Sequence, residues 1–259
     1  MDLQSILIAL TVGLASGAIG SFIVVRRMSL VGDALSHVAL PGIALALSYG
    51  IDPFFGVIFF ILAAAVIVWW LETKTALPAD ALVGILFTAS LAVGILTIPD
   101  QEIIESLFGA FPTLPTGMLL LIIVGALGTT FLIFYLAPKF LFFTFSEELA
   151  ATKGITQKYN LLLLVIFAFV VALGIKLVGT LLMGALTIIP PIIAKNLSRS
   201  MKSFIFASSL LGALIGVAGV VAADYFNLLP GPTIILFGII LFLLSLPFAK
   251  GRHYISVFR

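Results

Sequence analysis

The stretch MSLVGDALSHVALPGIALALSY, residues Met28–Tyr49, decides how this chain is read. It is apolar enough and long enough to cross a bilayer, which takes about 20 residues, yet it carries Asp33 and His37. An ionised carboxylate in hydrocarbon costs roughly 2.5–3.5 kcal/mol even on a lenient insertion scale, so such a residue is first read as functional. At i and i+4 of a helix the two side chains share one face. A carboxylate oxygen and an imidazole nitrogen are both ligand types for a divalent metal. The residues alone leave two plainer readings open: a structural hydrogen bond between the pair, or pairing of Asp33 with Arg26 or Arg27.

The rest of the chain supports the membrane reading. Of 259 residues, 62% are hydrophobic and 9% charged, with a mean hydropathy of +1.32. A soluble domain carries about 25% charged residues, so no sizeable soluble domain is expected. A net charge of +2 is too small to argue for nucleic acid. Without cysteine there are no disulfides and no thiolate metal ligands. The first apolar run, Leu3–Val25, is too long for a signal-peptide core and reads as a retained span.

The predicted fold is an all-α polytopic membrane protein. The expected spans are Leu3–Val25, Met28–Tyr49, Pro53–Leu71, Ala81–Ile98, Gly117–Ala137, Tyr159–Ile175, Leu177–Lys195, Ser203–Ala223 and Gly231–Ala249. That makes about nine, with eight as the alternative, because Tyr159–Lys195 is interrupted only by Lys176. As one helix this segment would be about 55 Å long, against a core of about 30 Å, so two spans, or one span and a re-entrant piece, are expected.

Charge sets the orientation. With nine spans, 12 of the 13 Lys and Arg fall on alternate connections, and Lys176 alone lies opposite, among Asp2, Asp52, Asp100, Glu102, Glu105 and Asp224. The positive-inside rule then puts the N-terminus outside and the C-terminus in the cytoplasm. His37 would sit near mid-membrane, with Asp33 on its cytoplasmic side. His253, the other histidine, neighbours Arg252 in the cytoplasmic tail and reads as interfacial.

Two connections are long. The outer one, residues 99–116, is acidic and proline-bearing; Glu102 and Glu105 there read as a solvated loop or as a cation-attracting rim. The inner one, residues 138–158, contains SEELAATKG: Ser146 can cap a short helix with Glu147 and Glu148 in its first turn and Gly154 as its stop. Pro41-Gly42 is expected to kink or interrupt the second span near the pair, and Pro190 with Pro191 to kink the seventh. Ser36 reads as a helix serine bonded to its own backbone, or as a donor to the pair. The small residues Ala9, Gly13 and Gly17, and Gly212 and Gly216, read as close helix-packing ridges.

RRMSLVGDALSH (Arg26–His37) with Pro41-Gly42 resembles the integral-membrane permease of ABC-type zinc/manganese importers. The likeness continues at Asp80–Ile85, at Glu148-Leu149-Ala150 with Gly154, at Val178–Leu182 leading to Pro190, and at Leu229–Ile234. The chain departs from the pattern in Pro191 after Pro190 and in Leu77-Pro78-Ala79 before Asp80. The resemblance implies the bundle of type II importers, shared with vitamin B12 and iron-siderophore permeases. It makes residues 1–259 one transmembrane permease domain with a cytoplasmic coupling segment at about 139–158. It implies a homodimer in a bacterial-type cytoplasmic membrane, two cytoplasmic ATPase subunits and an external metal-binding protein. It casts Asp33 and His37 as metal contacts and Ser146, Glu147, Glu148, Leu149, Ala150 and Gly154 as the ATPase-coupling element; beside it, the helix breaks and the neighbouring hydroxyl make Ser36, Pro41, Gly42 and Pro190 candidates for the pathway or a gate. The metal would be transported, with no permanently bound cofactor.

The chain has no G-x-x-x-x-G-K-[ST] phosphate loop, so pumping energy must come from a partner or from an ion gradient. A gradient-driven cation transporter with Asp33 as its proton or ion site is therefore the competing reading. An intramembrane metalloenzyme ranks below it, since there is no H-E-x-x-H pattern.

Overall fold

The computed structural model describes residues 3–75, 77, 79–97, 107–111, 114–145, 157–180 and 182–249. Among these the secondary structure is helical, with no strand. The helices are α1 (Leu3–Val25), α2 (Ser29–His37), α3 (Ala39–Ser48), α4 (Pro53–Lys74), α5 (Ala79–Thr97), α6 (Thr116–Phe145), α7 (Lys158–Val178), α8 (Met183–Leu197), α9 (Met201–Phe226) and α10 (Pro230–Ala249). Seven stretches are long and apolar enough to cross a membrane, counting Val31–Ser48 across α2 and α3 as one; Ala81–Gly94 in α5 and Met183–Leu197 are shorter apolar helices. Each of the nine expected segments coincides with one of these.

Three boundaries differ from expectation. The fifth segment was expected to end at Ala137, before Pro138, but α6 runs through Pro138 to Phe145, about 45 Å in all. In lipid, leaving the helix would orphan backbone groups with no water to satisfy them, so a proline is absorbed within the helix. The break between the sixth and seventh segments falls after Val178, not at Lys176. Gly179 adopts φ +87°, a conformation that favours glycine, and α8 begins at Met183. Lys176 stays in the last turn of α7 and pairs with Asp52 at 3.5 Å. The 15-residue α8 spans about 22 Å, short of the hydrocarbon thickness.

The second segment is divided at Val38, as Pro41 anticipates. A proline at 41 has no N–H for the His37 carbonyl, and its ring crowds that carbonyl. Pro191 has the same effect on the Thr187 carbonyl in α8. Gly20 of α1 lies directly on that carbonyl: a Cβ added to Gly20 would stand 1.8 Å from the Thr187 oxygen.

α1 is the axis of the bundle. It buries most of its residues and packs on α6, α7, α8 and α9. The small-residue ridges proposed from sequence meet each other here. A Cβ on Gly17 would lie 2.0 Å from the Ser208 carbonyl oxygen, one on Gly212 2.1 Å from that of Gly13, and one on Gly216 2.7 Å from that of Ala9. The Ser209 hydroxyl donates across the same seam to the Leu14 carbonyl at 2.9 Å. Between membrane helices there is little hydrophobic driving force, so close backbone approach and interhelical hydrogen bonds hold the crossing. α6 and α10, by contrast, expose most of their surface.

The charged groups collect at the two ends. At one, Arg26 donates to the Asn160 side-chain oxygen, and Asn160 donates to Glu72 at 3.1 Å. The Arg26 guanidinium also lies 5.2 Å from the Phe143 ring centroid, and Lys139 lies 5.4 Å from that of Tyr159. At the other end Asp52 caps α4, accepting from the Phe54 N–H at 2.9 Å, and meets Lys176. Gln4 there accepts from the Leu114 N–H at 3.1 Å.

Replacing Gly17 by Leu is expected to destabilise the α1–α9 crossing by about 1–3 kcal/mol or more through overpacking against rigid backbone. The detergent-solubilised protein should then unfold at lower temperature or denaturant. Asn160→Leu removes the amide that joins Arg26 to Glu72 and should cost about 1–3 kcal/mol in the same assay.

Candidate metal pathway around Asp33 and His37

α2 is a nine-residue helix held between α5, α7 and α8. Its approach to α8 depends on glycine. A Cβ on Gly184 would stand 2.9 Å from the Asp33 Cα and N, and one on Gly32 3.1 Å from the Thr187 hydroxyl. The first turn of α8 therefore lies against the backbone of Asp33. Thr187 secures that turn by donating to the Gly184 carbonyl at 2.7 Å.

The two side chains meet as the i, i+4 spacing requires, with His37 Nε2 4.0 Å from Asp33 Oδ1. Their surroundings differ sharply: the His37 side chain is 4% exposed and that of Asp33 48%. The edge-to-face contact of His37 with Phe87 of α5, centroids 4.9 Å apart, fixes the plane of the imidazole. His37 Nδ1 is buried and has no hydrogen-bond partner among the described residues. Asp33 thus forms the open side of the pair and His37 the anchored side.

A zinc–nitrogen and a zinc–oxygen bond laid end to end span about 4.0–4.3 Å, and the ligand–ligand edge of a tetrahedral site is about 3.4 Å. The observed 4.0 Å is about the collinear limit, so one ion could touch both side chains in a tetrahedral arrangement after they approach by about 0.6 Å. No group of three or more His, Cys, Asp or Glu that could hold a metal occurs among the described residues. As a metal site the pair would supply two ligands, leaving the remaining coordination positions to water, backbone or a second subunit.

The other sequence candidates divide. The Ser36 hydroxyl donates to the Asp33 carbonyl at 2.7 Å, within its own helix, which is the plainer of its two readings. Arg26 reaches Asn160, so the pairing of Asp33 with Arg26 is not what the fold uses. Pro41 shapes the break just beyond His37, whereas Gly42 faces Gly56 of α4: a Cβ on Gly56 would lie 2.1 Å from the Gly42 oxygen. Pro190 is buried in α8, about 9 Å along the helix from Gly184. Ser146, Glu147, Glu148, Leu149, Ala150 and Gly154, and Glu102 and Glu105, lie outside the described residues. Sequence reading missed Gly184 and Phe87. A lone glycine beside apolar residues signals close approach without naming the partner, and one phenylalanine among 23 carries no signal.

Comparison with known proteins agrees with this architecture. The family model described as the ABC 3 transport family matches residues 2–249. The chain is 33% identical to the manganese import system permease protein ScaB of Streptococcus gordonii, over 98% of this chain and 94% of that one. It is 29% identical to the high-affinity zinc uptake system membrane protein ZnuB of Haemophilus influenzae, over 93% and 95%. Among solved structures, PsaBC from Streptococcus pneumoniae in complex with Fab superposes with a TM-score of 0.81 at 33% identity, covering 95% of this chain and 92% of that one. With these matches running nearly end to end over a bundle of apolar helices, the chain is a multi-pass membrane protein that belongs to the ABC 3 transport family.

Proposed function

We propose that this chain is the permease subunit of an ATP-driven importer that moves a divalent transition metal, manganese or zinc, across the bacterial cytoplasmic membrane. The observation that carries the reading is the Asp33–His37 pair, 4.0 Å apart on a helix inside the bilayer, in a family whose named relatives import manganese or take up zinc. Energy comes from two separate cytoplasmic ATPases, and an external binding protein delivers the metal. Family membership favours this over a gradient-driven transporter.

The asymmetry of the pair suits transit. A transport site must bind well enough to admit an ion and weakly enough to release it, and two side-chain ligands fall short of the four that hold structural zinc. Asp33 keeps half its side chain open at a depth where lipid would penalise it by a few kcal/mol. That open face is better placed against a hydrated pathway shared with a second copy, which is the argument for a homodimer. The remaining assignments stand with it: one domain over residues 1–259, nine crossings, N-terminus outside, and residues 146–154 as the element that seats in the ATPase.

In proteoliposomes holding the complete complex, Asp33→Asn or His37→Gln should lower uptake of manganese or zinc at least about tenfold, the low end of what losing a metal-site group costs, with assembly intact. Uptake that continues undiminished with an inactivated ATPase would sink the ATP-driven reading. Gly184→Val drives a side chain into the Asp33 backbone and should reduce uptake comparably, while the milder Thr187→Val should reduce it less. The cysteine-free sequence allows orientation to be checked directly: Ile51→Cys should react with an impermeant thiol reagent in intact cells, and Thr73→Cys only after permeabilisation.

A further inference from the structure

Arg26, just past the end of α1, touches both stems of the inner connection between α6 and α7. On the α7 side its guanidinium donates to the Asn160 side-chain oxygen, and on the α6 side it lies 5.2 Å from the Phe143 ring centroid. Phe143 belongs to the last turn of α6 and Asn160 to the first turn of α7. Phe143 also packs on Tyr159, so the stems hold each other as well as Arg26. The Asn160 amide is buried, and its nitrogen donates to Glu72 at 3.1 Å. Releasing Arg26 would leave the amide oxygen buried and unpaired, which is costly.

The same residue opens the turn into α2. The Met28 N–H donates to the Ile23 carbonyl at 3.0 Å and the Arg27 N–H to the Val24 carbonyl at 3.1 Å. These are the two bonds of a Schellman cap, with Arg27 at φ +59° in the left-handed position that glycine ordinarily fills. Tied by both bonds, the start of α2 follows the last turn of α1, and α2 carries Asp33 and His37. The clamp on Arg26 therefore joins both ends of the connection at residues 146–157 to the helix that holds the pair. The tie at the opposite end of the bundle, Lys176 with Asp52, contacts neither stem. Coupling between distant sites travels through contiguous contacts and an element that both sites bias. Here the contacts meet at Arg26 and the element is α2.

We infer that Arg26 is the positioning residue through which the ATPases move the metal pair. A shift of the α6–α7 connection pulls on Arg26 through Asn160 and Phe143 and re-aims α2, with Asp33 and His37 aboard. The inference rests on the importer reading above, with residues 146–154 seated in the ATPase. The planar guanidinium suits the task, since it can hydrogen-bond the amide and lie against the ring at once.

The test uses the complete complex in proteoliposomes and reads manganese, and in parallel zinc, taken up per ATP hydrolysed. Arg26→Gln should lower that ratio about fivefold or more, the low end of coupling between two sites. Arg26→Lys, which returns a cation and a donor, should restore part of it. Lys176→Gln, which cuts only the tie at the opposite end, should leave the ratio unchanged. A second readout is positional. With Asp33→Cys as the permease's sole thiol, reactivity towards a thiol reagent should change when a non-hydrolysable ATP analogue binds, and Arg26→Gln should cancel that change. A ratio unaltered by Arg26→Gln, an equal loss with Lys176→Gln, or thiol reactivity that ignores the analogue or still follows it in Arg26→Gln would overturn the inference. If Arg26→Gln does not assemble, Phe143→Leu removes the ring contact alone and should lower the ratio in the same direction; an unchanged ratio there overturns the inference too. Uptake that persists with an inactivated ATPase overturns the importer reading itself, whereas an ATP-dependent importer whose ratio survives these substitutions overturns only the role of Arg26.

Discussion

Hydrocarbon offers no hydrogen bonds, and the structure follows from that constraint. Each backbone N–H and carbonyl inside the bilayer needs a partner within the protein. Helices satisfy most of them. They then pack by bringing backbone to backbone where side chains are missing, at Gly13, Gly17 and Gly212 between α1 and α9 and at Gly184 against Asp33. Hydroxyls behave alike: Thr11, Ser21, Ser36, Ser208 and Ser245 each donate to a carbonyl three or four residues back. Polar side chains here are mostly consumed locally, which sets apart the carboxylate that is not.

The same constraint explains what could be read from sequence. Length and hydropathy located the apolar segments, because the bilayer fixes both. The i, i+4 spacing located the pair, because helix geometry fixes which side chains are neighbours. Helix ends were less legible. Pro138 reads as a terminator in water and is absorbed in lipid, while the turn after α7 is set by the conformation of Gly179 and not by the charge of Lys176. Tertiary partners were illegible: nothing in the sequence ties Gly184 to Asp33 or Phe87 to His37, since each contact joins helices far apart along the chain.

The charged residues divide the labour differently from the pair. Arg26, Glu72 and Asn160 tie the ends of α1, α4 and α7 together, and Asp52 with Lys176 ties α4 to α7 at the opposite end. The Asp52–Lys176 pair retains access to water and adds little energy, whereas the buried Asn160 amide is the costlier group to leave unpaired. Their value is in registering long helices against one another, which leaves Asp33 as the charged side chain set apart from the rim among the described residues.

One connection has mechanical implications. α2 joins α1 through Arg27, whose φ of +59° is unusual for a residue with a side chain, and it is separated from α3 at Val38. It is therefore a lever of about 13 Å with a pivot at one end. A swing of about 10° at that pivot would carry the His37 end by about 2 Å, the full length of a metal–nitrogen bond. Because Asp33 and His37 ride on the same helix, such a swing would move the pair as a unit past Gly184 of α8 and Phe87 of α5, without parting one from the other.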